Sequence, residues 1–222
     1  MKRMLSCAVA LLVILTSDAV AEGPAASRPW TGFYIALGAG AGAVVQTQTL
    51  RDEFGPLFTQ SVGGQGLLGT VAAGYDFRVL QGVVAGAFFD YDISNISNDN
   101  PALFPISIPY EHKHTWSVGG RFGYLATPTT LWYVLGGYSR ASFDFDTIGG
   151  VDFGGYFVGG GVETQLAGGW SLRGEYRFTR FSTETLLEGG CFCSETLEAE
   201  TSMHSGRLLL VYKFGAGNEP LP

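Results

Sequence analysis

From residue 30 onward the chain alternates between apolar and small or polar residues in eight stretches: 30–45, 66–77, 82–92, 113–125, 131–143, 152–166, 170–178 and 204–214. A period of two is the mark of a strand with one apolar face. Phe33, Ile35, Leu37, Ala39 and Ala41 make that face in the first stretch, and Leu67, Val71, Ala73, Tyr75 and Phe77 in the second. Val83, Ala85, Ala87, Phe89 and Tyr91 follow, then Trp116, Val118, Phe122 and Tyr124. The sixth to eighth rows are Val158, Val162 and Leu166; Leu172, Tyr176 and Phe178; and Leu208, Leu210, Tyr212 and Phe214. The fifth stretch, LWYVLGGYSRASF, is apolar on both parities, so the pattern assigns it no faces.

The opposite parity mixes glycine with unlike charges. It holds Gly38, Gly40 and Gly42; Gly86 and Asp90; Gly119, Arg121 and Gly123; Gly159, Gly161, Glu163 and Gln165; and Arg173, Glu175 and Arg177. A water-facing row would be rich in Thr, Lys and Ser. Glycine beside paired charges suits a narrow barrel whose interior is filled by a few long side chains. Arg121, Glu163, Arg173, Glu175 and Arg177 are the expected interior charge network. Arg207 and Lys213 share the inward parity, which would make the interior net basic and any residual path favour anions.

The connections alternate. Segments 46–65, 93–112 and 179–203 are long, 144–151 is shorter, and 78–81, 126–130 and 167–169 are brief. That rhythm belongs to outer-membrane barrels, with short periplasmic turns and longer external loops. Aromatic residues gather at the strand ends: Trp30, Phe33, Tyr75, Phe77, Phe89, Tyr91, Tyr124, Trp132, Trp170, Tyr176, Phe178, Tyr212 and Phe214. They are expected to form two interfacial girdles. The predicted fold is all-β, an eight-stranded antiparallel up-and-down transmembrane β-barrel.

Composition agrees with this reading. The chain has 222 residues, 33 of them Gly, 46% hydrophobic and only 15% charged, and no apolar run long enough for a spanning helix. Lys2 and Arg3, an apolar stretch from Leu5 to Leu15 and the small-x-small Ala19-Val20-Ala21 read as a signal peptide over 1–21. Its removal takes Lys2, Arg3 and Asp18 and leaves 201 residues with 11 basic and 19 acidic side chains, a net charge of −8. That balance argues against nucleic acid as a partner. The expected organisation is a periplasmic segment 22–29, the barrel over 30–214 and a periplasmic tail 215–222.

Eight motifs in order carry a family likeness: WTGFYIALGAGAG (30–42), VAAGYDF (71–77), VVAGAFFDY (83–91), GGRFGY (119–124), LWYVLGG (131–137), GGGVETQL (159–166), WSLRGEYRF (170–178) and VYKF (211–214). The chain resembles the porin-like small outer-membrane β-barrel family of alphaproteobacteria, the group of major surface antigens of brucellae and rhizobia. The resemblance implies a barrel contributing to envelope integrity and surface interaction, with a narrow channel for small solutes as the alternative. Members are described both as porins and as haemin binders. Two departures stand out. Phe88 occupies a position where relatives carry an inward acid, which predicts a lighter network on that strand. Phe214 is followed by GAGNEPLP, where the family's terminal aromatic normally ends the chain. Expected partners are outer-membrane lipid and lipopolysaccharide, the barrel assembly machinery, and a surface ligand reached through 46–65, 93–112 and 179–203.

Other candidate chemistry is thin. Glu184, Glu188, Glu195, Glu198 and Glu200 lack the spacing of a calcium loop and read as a solvated acidic segment. Cys191 and Cys193 lie too close for an ordinary bridge. His112 and His114, two apart on one strand, would share a face and could ligate a metal only with a third ligand. His204 and Ser205 are adjacent and so point to opposite faces, as do His114 and Ser117, which leaves no nucleophile pair. No enzyme activity, cofactor or metal is expected.

Overall fold

A computed structural model describes residues 30–52, 54–97, 110–145, 149–188 and 196–214. The strands are β1 (Gly32–Asp52), β2 (Gly55–Leu80), β3 (Val83–Ser97), β4 (Tyr110–Thr127), β5 (Thr130–Phe145), β6 (Gly149–Gln165), β7 (Trp170–Phe181), β8 (Glu184–Glu188) and β9 (Thr196–Lys213). From β1 to β7 each strand pairs antiparallel with the next, and β9 pairs with both β7 and β1, so eight strands close into a ring. The short β8 hangs on the far part of β9 outside that ring. Closure leaves no edge within the ring, and so no row of unpaired backbone groups there.

Alternation sets the faces. Phe33, Ile35 and Leu37 point outward while Tyr34 and Ala36 are buried, and the outward Leu37 and Leu67 remain 66% and 68% exposed. On β5, where the sequence pattern assigned nothing, Leu131, Tyr133, Leu135, Ser139, Ala141 and Phe143 face inward. Trp132, Val134 and Tyr138 face outward. Both rows of β5 are apolar because its inner row builds the packed interior while its outer row meets the surroundings.

The short connections are tight. Gly82 (φ 81°) turns β2 into β3, and Gly168 (φ 72°) and Gly169 (φ 87°) turn β6 into β7. These positive φ values suit glycine, which lacks the Cβ that would clash.

The long connections differ from expectation. Segment 46–65 is not a loop: β1 and β2 stay paired to Asp52↔Gly55, with one bulge at Leu50/Arg51. β3 continues to Ser97 and β4 begins at Tyr110, so 93–112 is strand at both ends. Segment 179–203 likewise holds the end of β7, all of β8 and the start of β9. The cause is composition. Beyond the apolar rows both faces carry Gln, Thr and Ser, and pairing continues without the contrast that reveals it in a sequence. Residues 98–109, 189–195 with Cys191 and Cys193, the expected signal peptide over 1–21, the expected periplasmic segment 22–29 and the tail 215–222 lie outside the described residues.

Candidate functional site in the barrel lumen

The lumen is built from the inward rows. Arg121, Glu163, Arg173, Glu175 and Arg177 are all buried there, and Asp76, Asp90, Asp92, Arg207 and Lys213 join them. Five cations thus face five carboxylates among the described residues, which overturns the expectation of a net basic interior. The balancing acids Asp76, Asp90 and Asp92 share the parity of Gly74 and Gly86, a signal available in the sequence.

Two clusters stack along the axis. Towards the short turns, Arg121 donates to Asp76 through Nε (2.8 Å) and Nη2 (2.6 Å) and to Glu163 Oε2 through Nη1 (2.7 Å). Arg173 Nε donates to the same Glu163 oxygen at 3.0 Å. Lys213 Nζ donates to Asp76 (2.6 Å) and to the Trp30 carbonyl (2.7 Å). The Arg121 and Arg173 guanidinium groups both lie against the Tyr34 ring, 5.1 and 4.6 Å from its centroid.

The second cluster lies towards the long hairpins. Arg177 pairs with Asp90 (2.5 Å) and Glu175 (2.9 Å). Arg207 pairs with Glu175 and with Asp92 at 3.1 Å, and Thr70 donates to Asp92 at 2.5 Å. The Tyr133 hydroxyl donates to Glu175 at 2.8 Å and ties the two clusters together. β3 therefore supplies two of the acids, against the lighter network expected from Phe88, whose ring instead lies under Arg177 at 5.2 Å.

Apolar side chains pack at both ends of the network. Val44, Ile96, Phe143, Phe153, Phe181 and Met203 pack together at the long-hairpin end, with Phe143 edge-on to Phe153 at 5.3 Å. Trp30, Val84, Leu131 and Val211 pack at the other.

Glycine makes this filling fit. Asp76, Gly86 and Arg121 are register partners across β2, β3 and β4, and a Cβ on Gly86 would collide with the Asp76 carboxylate. Gly74 faces Tyr34 and Gly161 faces Tyr133 in the same manner, and a Cβ on Gly159, the partner of Arg177, would meet the Tyr176 carbonyl.

The aromatic set divides. Phe33, Tyr75, Phe77, Phe89, Tyr124, Trp132, Trp170, Tyr176 and Phe214 are exposed on the outer face, and Tyr91, Phe178 and Tyr212 are half-buried on it. Trp30 is a correction. It is fully buried at the short-turn mouth, its indole N–H donating to the Pro128 carbonyl at 3.1 Å. Its even number places it on the Tyr34 side, and Lys213 sits 5.3 Å from its ring.

The histidines are also rearranged. A bulge at Lys113 offsets His112 from His114, whose β5 partners Phe143 and Ser142 are consecutive. His112 turns inward, fully buried, between Ser94 Oγ (2.5 Å) and Thr115 Oγ1 (2.6 Å). His114 turns outward and stacks on Tyr91 at 5.6 Å. They share no face, contrary to expectation, because one extra residue reverses the parity. His204 faces outward and meets the Tyr176 hydroxyl at 2.7 Å, while Ser205 is buried inside.

A family model described as outer membrane protein beta-barrel domain matches residues 7–214. The 31 kDa outer-membrane immunogenic protein of Brucella melitensis is 28% identical over 230 residues, covering 94% of each chain. The 22 kDa outer membrane protein of Rhizobium leguminosarum is 31% identical over 169 residues, 73% of this chain and 70% of the relative. The crystal structure of OprG from Pseudomonas aeruginosa aligns with a TM-score of 0.51 at 10% identity, covering 85% of this chain and 98% of that one, a likeness of fold. With its closed eight-stranded ring, apolar outer face and charged core, the chain belongs to the outer membrane protein beta-barrel family and resides in the outer membrane of a Gram-negative bacterium.

Proposed function

We propose that this is a closed structural barrel that reinforces the outer membrane and presents its long hairpins at the cell surface, without catalytic activity. The observation that carries the reading is the balanced interior: each of the five buried cations is paired with a buried carboxylate, and apolar clusters cap the network at both ends. An eight-stranded barrel has a lumen just wide enough for side chains to fill. Stranding one member of a buried pair is costly, so such a network holds its strands in register.

In this reading the short turns lie in the periplasm and the hairpins outside. The outward aromatics form the two girdles, with Tyr124, Trp132, Trp170 and Tyr212 at the periplasmic interface and Tyr91, Trp116 and Tyr138 at the outer one. The span from Trp116 to Tyr124 fits the roughly 9–11 residues a tilted strand needs to cross a bilayer. The relative from Brucella melitensis is described as immunogenic, which agrees with exposed hairpins here, and a surface ligand would meet 46–65, 93–112 or 179–203.

Planar-bilayer conductance of the folded protein tests the closed lumen. A silent bilayer with a protein that still shows a heat-dependent gel shift is the expected result. Discrete, reproducible channel steps would replace this reading with a narrow channel for small solutes.

A further inference from the structure

At the long-hairpin end of the outer face, just above the aromatic shelf, two guanidinium groups flank one strand. Arg140 on β5 is the register partner of Gly154 on β6, and Arg180 on β7 is the partner of Tyr156, two residues further along β6. The strands bearing the two arginines are therefore roughly 10 Å apart, with β6 between them. Both side chains are half exposed, 50% and 51%.

Between them the surface is shaped by Gly154. A Cβ there would lie 2.5 Å from the Tyr138 hydroxyl, so the missing side chain lets that phenol lie across β6 beside Arg140. Tyr156, the partner of Tyr138, is 55% exposed beside Arg180. His204 faces outward on β9, where its partner on β7 is Phe178, two residues from Arg180. The patch thus offers guanidinium, phenol and imidazole groups directly above apolar rings, at the depth where a lipid headgroup meets its acyl chains.

We infer that Arg140 and Arg180, with Tyr138, Tyr156 and His204, bind the phosphorylated headgroup of the outer-leaflet glycolipid. Two acids face the same site. Asp152 lies 3.3 Å from Arg140 and Glu200 2.8 Å from Arg180. Exposed ion pairs of this kind are weak, about 0–1 kcal/mol. Each guanidinium has five N–H donors in a planar fork suited to a phosphate, so an incoming phosphate can share or displace the carboxylate. The rings below fit the acyl region, as amphipathic aromatics do at a membrane interface. The inference rests on the orientation proposed above, and protease shaving of whole cells reads that orientation separately.

Native mass spectrometry of the full-length protein released in mild detergent tests it, with bis-phosphorylated lipid A, the same lipid without phosphates, and inorganic phosphate as probes. The protein should retain the phosphorylated lipid and lose the dephosphorylated one. An Arg140→Gln/Arg180→Gln variant should bind it at least about tenfold more weakly, because both guanidinium groups and their charge-assisted hydrogen bonds are lost. An Asp152→Asn/Glu200→Gln variant should bind it more tightly, because the competing carboxylates are gone. An Arg78→Gln change at the opposite end should have no effect, and the heat-dependent gel shift verifies that each variant is folded. Equal retention of both lipids, or unaltered binding by the arginine variant, overturns the inference. So does an equivalent adduct with millimolar inorganic phosphate alone, which would make the patch a free-anion site.

Discussion

Asp76 and Arg121 bind each other across a strand to which neither belongs. They sit on β2 and β4, and the two hydrogen bonds of 2.8 and 2.6 Å pass over Gly86 of β3. The contact exists because Gly86 has no side chain. Its interest lies in the general rule it illustrates: in this lumen a large side chain is placed opposite a glycine on the neighbouring strand.

A Gly86→Val change should therefore break the pair rather than merely crowd it. Overpacking costs about 1–3 kcal/mol and breaking a buried charge pair about 3–5, so the combined loss should reach several kcal/mol. Urea unfolding of the barrel in detergent, followed by gel shift, measures it. Gly120→Val on the outer face, where the nearest atom to a Cβ is the Gly86 carbonyl at 3.5 Å, should cost far less. Similar midpoints for the two variants would refute the rule.

Replacing Glu163 and Glu175 together by glutamine leaves Arg121, Arg173, Arg177 and Arg207 with too few buried acids. The expected loss is at least about 3–5 kcal/mol, read as a lower melting temperature. An unchanged melting temperature would show that the network does not hold the barrel together.

Trp30 is the one described tryptophan inside the barrel, while Trp132 and Trp170 face outward and Trp116 is half-buried on the same outer face. In single-tryptophan variants reconstituted with brominated lipids, Trp132 and Trp170 should be strongly quenched and Trp30 should not. Trp30→Ala should cost about 3–5 kcal/mol, as expected for emptying a buried aromatic site. Quenching of Trp30 equal to that of Trp132 would return it to the interfacial girdle.

The two histidines of β4 should behave differently. His112→Ala removes a partner from Ser94 and Thr115 and should cost about 1–3 kcal/mol. His114→Ala alters an outward ring and should stay within about 0.5 kcal/mol. Thermal melting of both variants distinguishes the bulged arrangement from a regular strand, in which the pair would be equivalent.

Much of the architecture was legible because strand parity is local. A residue's face follows from its number once one neighbour is known, so Phe33, Ile35 and Leu37 declared the outer wall. Arg173, Glu175 and Arg177 declared the inner one. The same logic already put Asp90 on the inner row and could have placed Trp30, which shares the parity of Tyr34, and Asp76 and Asp92. Parity failed where its assumptions did. At Lys113 an inserted residue inverts it, and in 46–65 Gln and Thr occupy both faces, so a paired hairpin has the composition of a loop.

The sequence by itself determined the eight crossings, the facing rows of all but the fifth and the family of the chain, since each rests on short-range alternation that burial of one face imposes. The tertiary structure alone decided which partners meet. Register between strands sets whether Arg121 reaches Asp76, whether Gly161 lies opposite Tyr133, and whether Arg140 and Arg180 flank β6 at Gly154 and Tyr156. Hydrogen bonds between backbones are indifferent to side-chain identity, so a one-residue slip would keep every bond type and reverse every face. Only closure of the whole ring, with its charges paired and its glycines opposite bulk, selects one register.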